Sequence, residues 1–147
     1  MLKSLAVLPV FFMIATAPVL AGEPADAVKY FYDNLGSETQ PENRDRFTGP
    51  ALEFLNAANA AWERDETNCI EFMFPVDGQD FDDAEIAKTL KLDETVNGDS
   101  ADVTASFSNF GQATQVEWSL TKTAAGWQVA DIASEANQWR VSRMTCD

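Results

Sequence analysis

The segment Lys88–Ala133 reads KTLKLDETVNGDSADVTASFSNFGQATQVEWSLTKTAAGWQVADIA, and it decides the fold because its side chains alternate in four runs. A period of two is typical of a β-strand with one buried and one exposed face. The turn pair Asn97-Gly98 and the segment TAAG at residues 123–126 separate runs. We predict four strands joined as an antiparallel meander. The residues assigned to its apolar face are Leu90, Leu92, Val103, Ala105, Phe107, Val116, Trp118, Leu120, Trp127, Val129 and Asp131.

Two helices are predicted before this sheet, at residues 23–36 and 49–66, with a polar linker between them. The first has a proline where the first helical turn tolerates one and a glycine at its end. Residues at helical spacing mark the buried faces: Val28, Phe31, Tyr32 and Leu35 in the first helix, and Leu52, Leu55, Ala58, Asn59 and Trp62 in the second. The fold class is therefore α+β, with two N-terminal helices covering a four-stranded antiparallel sheet.

The N-terminal segment has the three parts of a secretory signal: Lys3, the apolar run Leu5–Ile14 and a small-residue cleavage site after Ala21. The apolar run is shorter than the ~20 residues that a spanning helix needs. Glu23 stands where a lipoprotein would carry its lipidated cysteine. We predict a cleaved signal peptide at residues 1–21 and a single domain at 22–147, ending in a tail without a sheet partner. The protein is then periplasmic or secreted, with no membrane association after cleavage.

The composition is strongly acidic, with 24 Asp and Glu against 10 Lys and Arg and a net charge of −14. Nucleic acid and anionic membranes would be repelled, so the partners that remain are a protein, a basic one in particular, or a small apolar ligand. The chain has no histidine. This excludes a Ser-His-Asp triad, a Cys-His pair, a His-ligated zinc site and a haem His ligand. No cofactor is predicted.

The two cysteines, Cys69 and Cys146, are an even number in a chain that carries an export signal. This favours one structural disulfide. Free thiols or a redox pair are the alternatives, but the sequence has no C-x-x-C spacing.

Two motifs carry a resemblance to a known superfamily. The ending GWQVADI at Gly126–Ile132, after two helices and a meander, resembles the last core strand of nuclear transport factor two-like (cystatin-like cone) domains. FPVDGQDF at Phe74–Phe81 is similar to a segment of a bacterial exported family of unknown function, whose members are commonly lipoproteins. The resemblance implies a curved, cone-like sheet. It also implies that Gln79 and Asp80 orient their loop near the mouth of the cone.

Asp131 is the candidate catalytic residue that this resemblance suggests, because cone-fold enzymes place a carboxylate between sheet and helices. Its parity puts it beside Trp127 and Val129, where burial would raise the pKa of its carboxyl and suit it to general-base catalysis. The alternative is a bulge that turns Asp131 outward, or a hydrogen bond to a neighbouring backbone N–H. Trp127 is also a candidate to line an apolar pocket, and Trp139, beside Arg140, is a candidate interface residue.

The stretch PVDGQDFDDAE at Pro75–Glu85 holds five carboxylates. It lacks the ligand spacing of an EF-hand loop, and only an irregular calcium site from Asp80, Asp82 and Asp83 remains as an alternative. A structural interpretation needs less: Asp77-Gly78 is a turn pair, and Asp80 or Asp82 caps a short turn of helix. We therefore predict a turn and no metal site.

Two functions follow from these observations. The first is an exported, soluble, non-catalytic module that binds a protein or small ligand. The alternative is a small cone-fold lyase or isomerase with Asp131 as general base. The missing histidine and the lack of a nucleophile–base pair favour the first.

Overall fold

The computed structural model describes residues 23–147, and the predicted signal peptide lies outside them. Its helices and strands are α1 (Pro24–Asp33), α2 (Gly49–Asp65), α3 (Asp83–Thr89), β1 (Lys91–Asn97), β2 (Ser100–Asn109), β3 (Gln112–Thr123), β4 (Gly126–Ser134) and β5 (Trp139–Arg140). Short 3₁₀ turns lie at Pro41–Arg46, Phe74–Val76 and Val141–Arg143. The predicted α+β class, with helices packed on an antiparallel sheet, is confirmed. No helix within the described residues has the length and apolarity that crossing a bilayer requires.

The sheet has five strands in the order β1-β2-β3-β4-β5, each antiparallel to its neighbour. The prediction of four strands is wrong because it missed the fifth strand, β5. The tail returns along β4, where Ala133 pairs with Arg140 and Ser134 with Trp139. A strand of two residues has no alternation to detect, so sequence periodicity could not predict it.

The core lies between the inner face of the sheet and helices α1 and α2. The Phe31 ring stacks on Trp118 with centroids 5.4 Å apart, and the Trp118 indole N–H donates to the Tyr32 hydroxyl at 3.3 Å. The predicted face of α1 is largely confirmed, since Val28, Phe31 and Tyr32 are buried. The predicted face of α2 is partly wrong. Phe54 and Ala61 are buried there with Leu55 and Ala58, whereas the Trp62 side chain is 55% exposed.

A bulge in β4 determines where Asp131 points. Leu120 of β3 pairs with Val129, but the preceding Ser119 pairs with Asp131, so β4 has one extra residue at this point. An extra residue shifts the alternation by one. Ile132 therefore joins Val129 in the core, and Asp131 shares the outer face of the sheet with Ser119. The prediction that Asp131 lies on the apolar face is wrong for this reason.

The predicted disulfide between Cys69 and Cys146 is present, with Cα atoms 5.6 Å apart and a sequence separation of 77 residues. It joins the segment after α2 to the end of the tail. The chain that follows α2 is thereby fixed at both of its ends.

Candidate protein-interaction surface

The acidic stretch forms a compact loop at one end of the sheet. We call Asp77–Asp83 the acidic loop. The 3₁₀ turn before it ends at Asp77, whose φ of 52° is left-handed. The backbone then closes on itself, because the Met73 N–H donates to the Gly78 carbonyl at 2.9 Å. Asp suits position 77 because its short polar side chain tolerates the left-handed region.

The carboxylates of this loop have separate structural roles. The Asp82 side chain caps α3 by accepting from the Glu85 N–H at 3.0 Å, as the turn interpretation predicted. The Asp77 carboxylate accepts from the side chains of Asn137 and Trp139, at 2.6 Å each. Asp80 and Asp83 are exposed. Within residues 23–147, no group of three acidic, Cys or His side chains is placed to hold a metal ion, so the calcium alternative gains no support.

The tip of the β2–β3 hairpin holds the acidic loop in place. Asn109 bonds the loop twice: its Oδ1 accepts from the Asp82 N–H at 2.9 Å, and its Nδ2 donates to the Asp80 carbonyl at 3.1 Å. The Glu85 carboxylate accepts from the Ser108 hydroxyl at 2.7 Å and from the Gly111 N–H at 2.9 Å. Loop, helix α3 and hairpin therefore form one rigid surface at this end of the sheet.

Phe110 projects from this surface at the tip of the hairpin. It is 62% exposed, more than any other large hydrophobic side chain of the described residues. Its φ is 50° and that of Gly111 is 75°, as in a two-residue type I′ turn. Such turns favour Asn, Asp or Gly at both positions, and a bulky residue there is strained. An exposed aromatic ring is thus held at an energetic cost on the hairpin tip that binds the acidic loop.

A groove of about 500 Å³ runs beside this tip. Its walls come from the acidic loop, the start of β3 and the turn between β4 and β5. Its lining includes the polar residues Asp77, Gln112, Gln115 and Asn137, together with Phe110. The groove is polar and open to solvent along its length, which suits an extended peptide segment better than an apolar small molecule.

The acidic loop beside the groove carries four carboxylates, of which only that of Asp77 lines the groove itself. The three salt bridges of the described residues use Asp33, Asp65 and Asp131, so none involves a carboxylate of the acidic loop. Exposed carboxylates at this spacing repel one another and attract cationic groups. The surface is therefore complementary to a basic one.

The structure brings together some of the predicted site residues and separates others. Gln79 and Asp80 lie in the acidic loop, with the Gln79 amide donating to the Glu71 carbonyl at 3.1 Å. The Trp139 ring packs against Phe72, and its indole N–H donates to the Asp77 carboxylate. Trp127 pairs with Lys122 near the opposite end of the 12-residue strand β3 from the hairpin tip. It does not belong to this surface.

Asp131 also lies apart from this surface, and its environment is structural. Its carboxylate accepts from the Ile132 and Ser142 N–H groups at 3.0 and 2.9 Å, from the Ser142 hydroxyl at 2.7 Å and from the Arg140 guanidinium at 3.1 Å. All of its acceptor capacity is used by the chain itself. A general base needs a free lone pair facing a substrate, and this geometry offers none.

No protein-family model matches the chain, and no curated protein matches it. Solved structures do. A chain of the native type VI effector–immunity complex Tae3–Tai3 from Ralstonia pickettii aligns with a TM-score of 0.56 and 16% identity, over 78% of this chain and 96% of that one. The selenomethionine form of the complex aligns with a TM-score of 0.54 and 15% identity, over 77% and 97%. The similarity shows a shared fold.

Sequence reasoning missed Phe110 and Asn109, which organise the tip of the hairpin. A signal was present: the alternation of β2 stops at Ser108, and Phe110-Gly111 is an aromatic residue where a turn is required. It also missed Glu38, which the polar composition of residues 37–48 placed in a solvated linker. Glu38 is instead fully buried.

Burial raises the pKa of the Glu38 carboxyl above its usual 4.5, although nearby backbone N–H groups of Gly36 and Phe74 lower it in part. The folded state then binds this proton more tightly than the unfolded state does, so Glu38 adds stability as pH falls through its folded pKa toward 4.5. We expect Glu38→Gln to flatten the dependence of unfolding free energy on pH between 7.5 and 5. Urea unfolding at several pH values measures it.

The matched control is Glu42→Gln, which removes an exposed carboxylate from the same segment. In this control the unfolding free energy should depend on pH as it does in the parent protein. The Glu38 variant should keep part of this pH dependence, because burial and Glu135 also raise the pKa of Glu117. An unchanged slope in Glu38→Gln would contradict this prediction.

Proposed function

We propose that this protein is an exported module that binds a basic protein through the acidic loop and the hairpin tip. The observation that carries the proposal is Phe110, an exposed aromatic side chain in a strained turn, beside an acidic loop whose carboxylates form no salt bridge. Strain of this kind persists where function requires it. Aromatic anchors with a polar rim are typical of binding hot spots. The disulfide fits an oxidising compartment outside the cytoplasm.

A more specific role is that of an immunity protein, which binds an effector and blocks it. Two observations support it: the fold is shared with a chain of an effector–immunity complex, and the acidic surface suits a cationic partner. In this role the acidic loop and Phe110 occupy the partner's functional groove. Electrostatic steering would speed the encounter, and Phe110 would slow dissociation.

We expect Phe110→Asn to stabilise the folded protein by about 1 kcal/mol, because asparagine tolerates the left-handed turn that a bulky residue resists. A thermal melt should shift upward by a few degrees. The matched control is Phe81→Asn, since Phe81 is also an exposed aromatic but has no positive φ. It should not stabilise. A lower melting temperature for Phe110→Asn would contradict the strain argument.

The binding proposal is tested by placing a photocrosslinking phenylalanine analogue at position 110 or, as a control, at position 127, in cells of the native host. We expect position 110 alone to yield a discrete adduct, identified by mass spectrometry as a basic protein. The purified partner should then lose at least tenfold in affinity to the Phe110→Asn variant, and its affinity should fall as salt rises.

The role of charge is tested with the double variant Asp80→Asn/Asp83→Asn, which leaves the capping residue Asp82 in place. The control is the double variant Asp45→Asn/Glu53→Gln, which removes two carboxylates elsewhere. Only the pair in the acidic loop should slow association. Equal crosslinking from both positions, or an acidic or neutral adduct, would overturn the proposal. The immunity role is tested separately: directing the partner to the periplasm should arrest growth, and coexpression of this protein should restore it.

A further inference from the structure

A cleft of about 230 Å³ lies between α2 and the segment that follows it, beside the disulfide. Its floor is apolar, from Leu55, Ala58 and Ile70, and Cys69 brings the disulfide into one wall. The exposed Trp62 ring stands at its rim. The volume is large enough for a ligand of about a dozen heavy atoms and too small for a folded partner.

Arg44 is the charged group of this cleft. Its guanidinium donates to the Gln40 and Leu55 carbonyls at 3.2 and 3.5 Å. These two bonds hold the guanidinium in place and leave its other N–H donors free. It forms none of the three salt bridges of the described residues. Partial burial lowers the pKa of Arg44 while Glu42 raises it. A half-buried guanidinium without a carboxylate partner is uncommon in so acidic a chain, and it favours an anion.

Neighbouring side chains extend this donor set. The Asn68 Oδ1 accepts from the Ile70 N–H at 3.2 Å, so its two Nδ2–H donors remain for a ligand. Asn59 also lines the cleft, and its amide donates to the Glu63 carboxylate at 3.0 Å. Glu63 and Glu42 are therefore the carboxylates near the cleft that oppose an anion, and physiological salt screens the more distant negative charge beyond about 8 Å.

We propose that this cleft binds a small carboxylate that carries an aliphatic or aromatic body. The carboxylate pairs with the Arg44 guanidinium in the bidentate manner that arginine favours. The body packs on Leu55, Ile70 and the Trp62 ring, and the Asn68 amide donates to the ligand's polar atoms. This site shares no lining residue with the groove beside the acidic loop.

The probe is N-acetyl-L-leucine, compared with its neutral amide, which has the same shape and lacks the charge. In ¹H–¹⁵N spectra the Trp62 indole signal, assigned with Trp62→Phe, should shift saturably with a Kd on the order of 1 mM. The amide should bind at least tenfold more weakly, and so should the acid to Arg44→Gln. Arg64→Gln, an exposed arginine outside the cleft, should bind as the parent protein does.

Equal binding of acid and amide, a loss in Arg64→Gln as large as that in Arg44→Gln, or no saturation below 20-fold the expected Kd would overturn the proposal. The acid–amide comparison uses the unaltered protein, so it decides even if Arg44→Gln fails to fold. An N-acetylated tripeptide ending in leucine forms a further arm. Tighter binding than N-acetyl-L-leucine assigns the ligand to peptide C-termini, and equal or weaker binding assigns it to free acids.

Discussion

Replacing Cys69 and Cys146 with serine is expected to lower the free energy of unfolding by about 4 kcal/mol. The disulfide closes 77 residues of chain, and opening so long a loop gives the unfolded state much of its conformational freedom back. The effect acts mainly on the unfolded state, so the folded protein should keep its circular dichroism spectrum at 20 °C. Its melting temperature should fall by more than about 10 °C.

Reduction of the unaltered protein is the parallel measurement, and it should reproduce the loss. The double serine variant is the control for the reductant, because it has no disulfide to reduce and should not respond. Two titratable thiols in protein prepared under oxidising conditions, or an unchanged melting temperature on reduction, would contradict the prediction.

Asp131→Ala is expected to cost about 3 kcal/mol of stability. The substitution leaves the Arg140 guanidinium without its carboxylate and the Ser142 N–H without an acceptor at the place where the tail returns to β4. Removing one partner of a partly buried pair costs more than the pair contributes. Urea unfolding of the variant measures the loss, and amide exchange should localise the opening to the tail.

Asp102→Ala is the matched control, because Asp102 lies on the same outer face of the sheet and accepts only one hydrogen bond, from Ser119. It should change stability by no more than about 0.5 kcal/mol. Arg140→Ala in both backgrounds completes a double-mutant cycle, and a coupling of at least 1 kcal/mol is expected. A Asp131→Ala variant as stable as the control would show that its contacts contribute nothing.

Local patterns predicted the elements that have a long repeat. Helix α1, helix α2 and four of the five strands follow from periodicity, because a face of several alternating residues repeats the burial signal many times. A helix cap at Asp80 or Asp82 followed from residue type and position, and the structure shows that Asp82 is the cap. The resemblance to the cone superfamily stays a prediction, and so do the signal peptide and the binding roles of Gln79 and Asp80.

Local patterns did not predict the features that depend on a single position. One extra residue in β4 moved Asp131 from the predicted apolar face to the outer face, and no residue type announces a bulge. The two-residue β5 is stabilised by pairing with β4 rather than by its own pattern. Glu38 is buried because the segment before α2 packs beside Phe74, whose backbone N–H lies near the Glu38 carboxyl. This is a contact between distant parts of the chain.

The sequence by itself therefore determined the fold class, the acidic charge, the pairing of the two cysteines and the exclusion of histidine chemistry. Each of these depends on composition or on a repeated local pattern. Only the tertiary structure decided that Asp131 anchors the tail, that Asn109 joins the acidic loop to the hairpin and that Phe110 stands exposed beside it. The bonds involved join residues 11 apart for Asp131 and Ser142 and 27 apart for Asp82 and Asn109, and their geometry depends on the register of the assembled sheet, which no local pattern encodes.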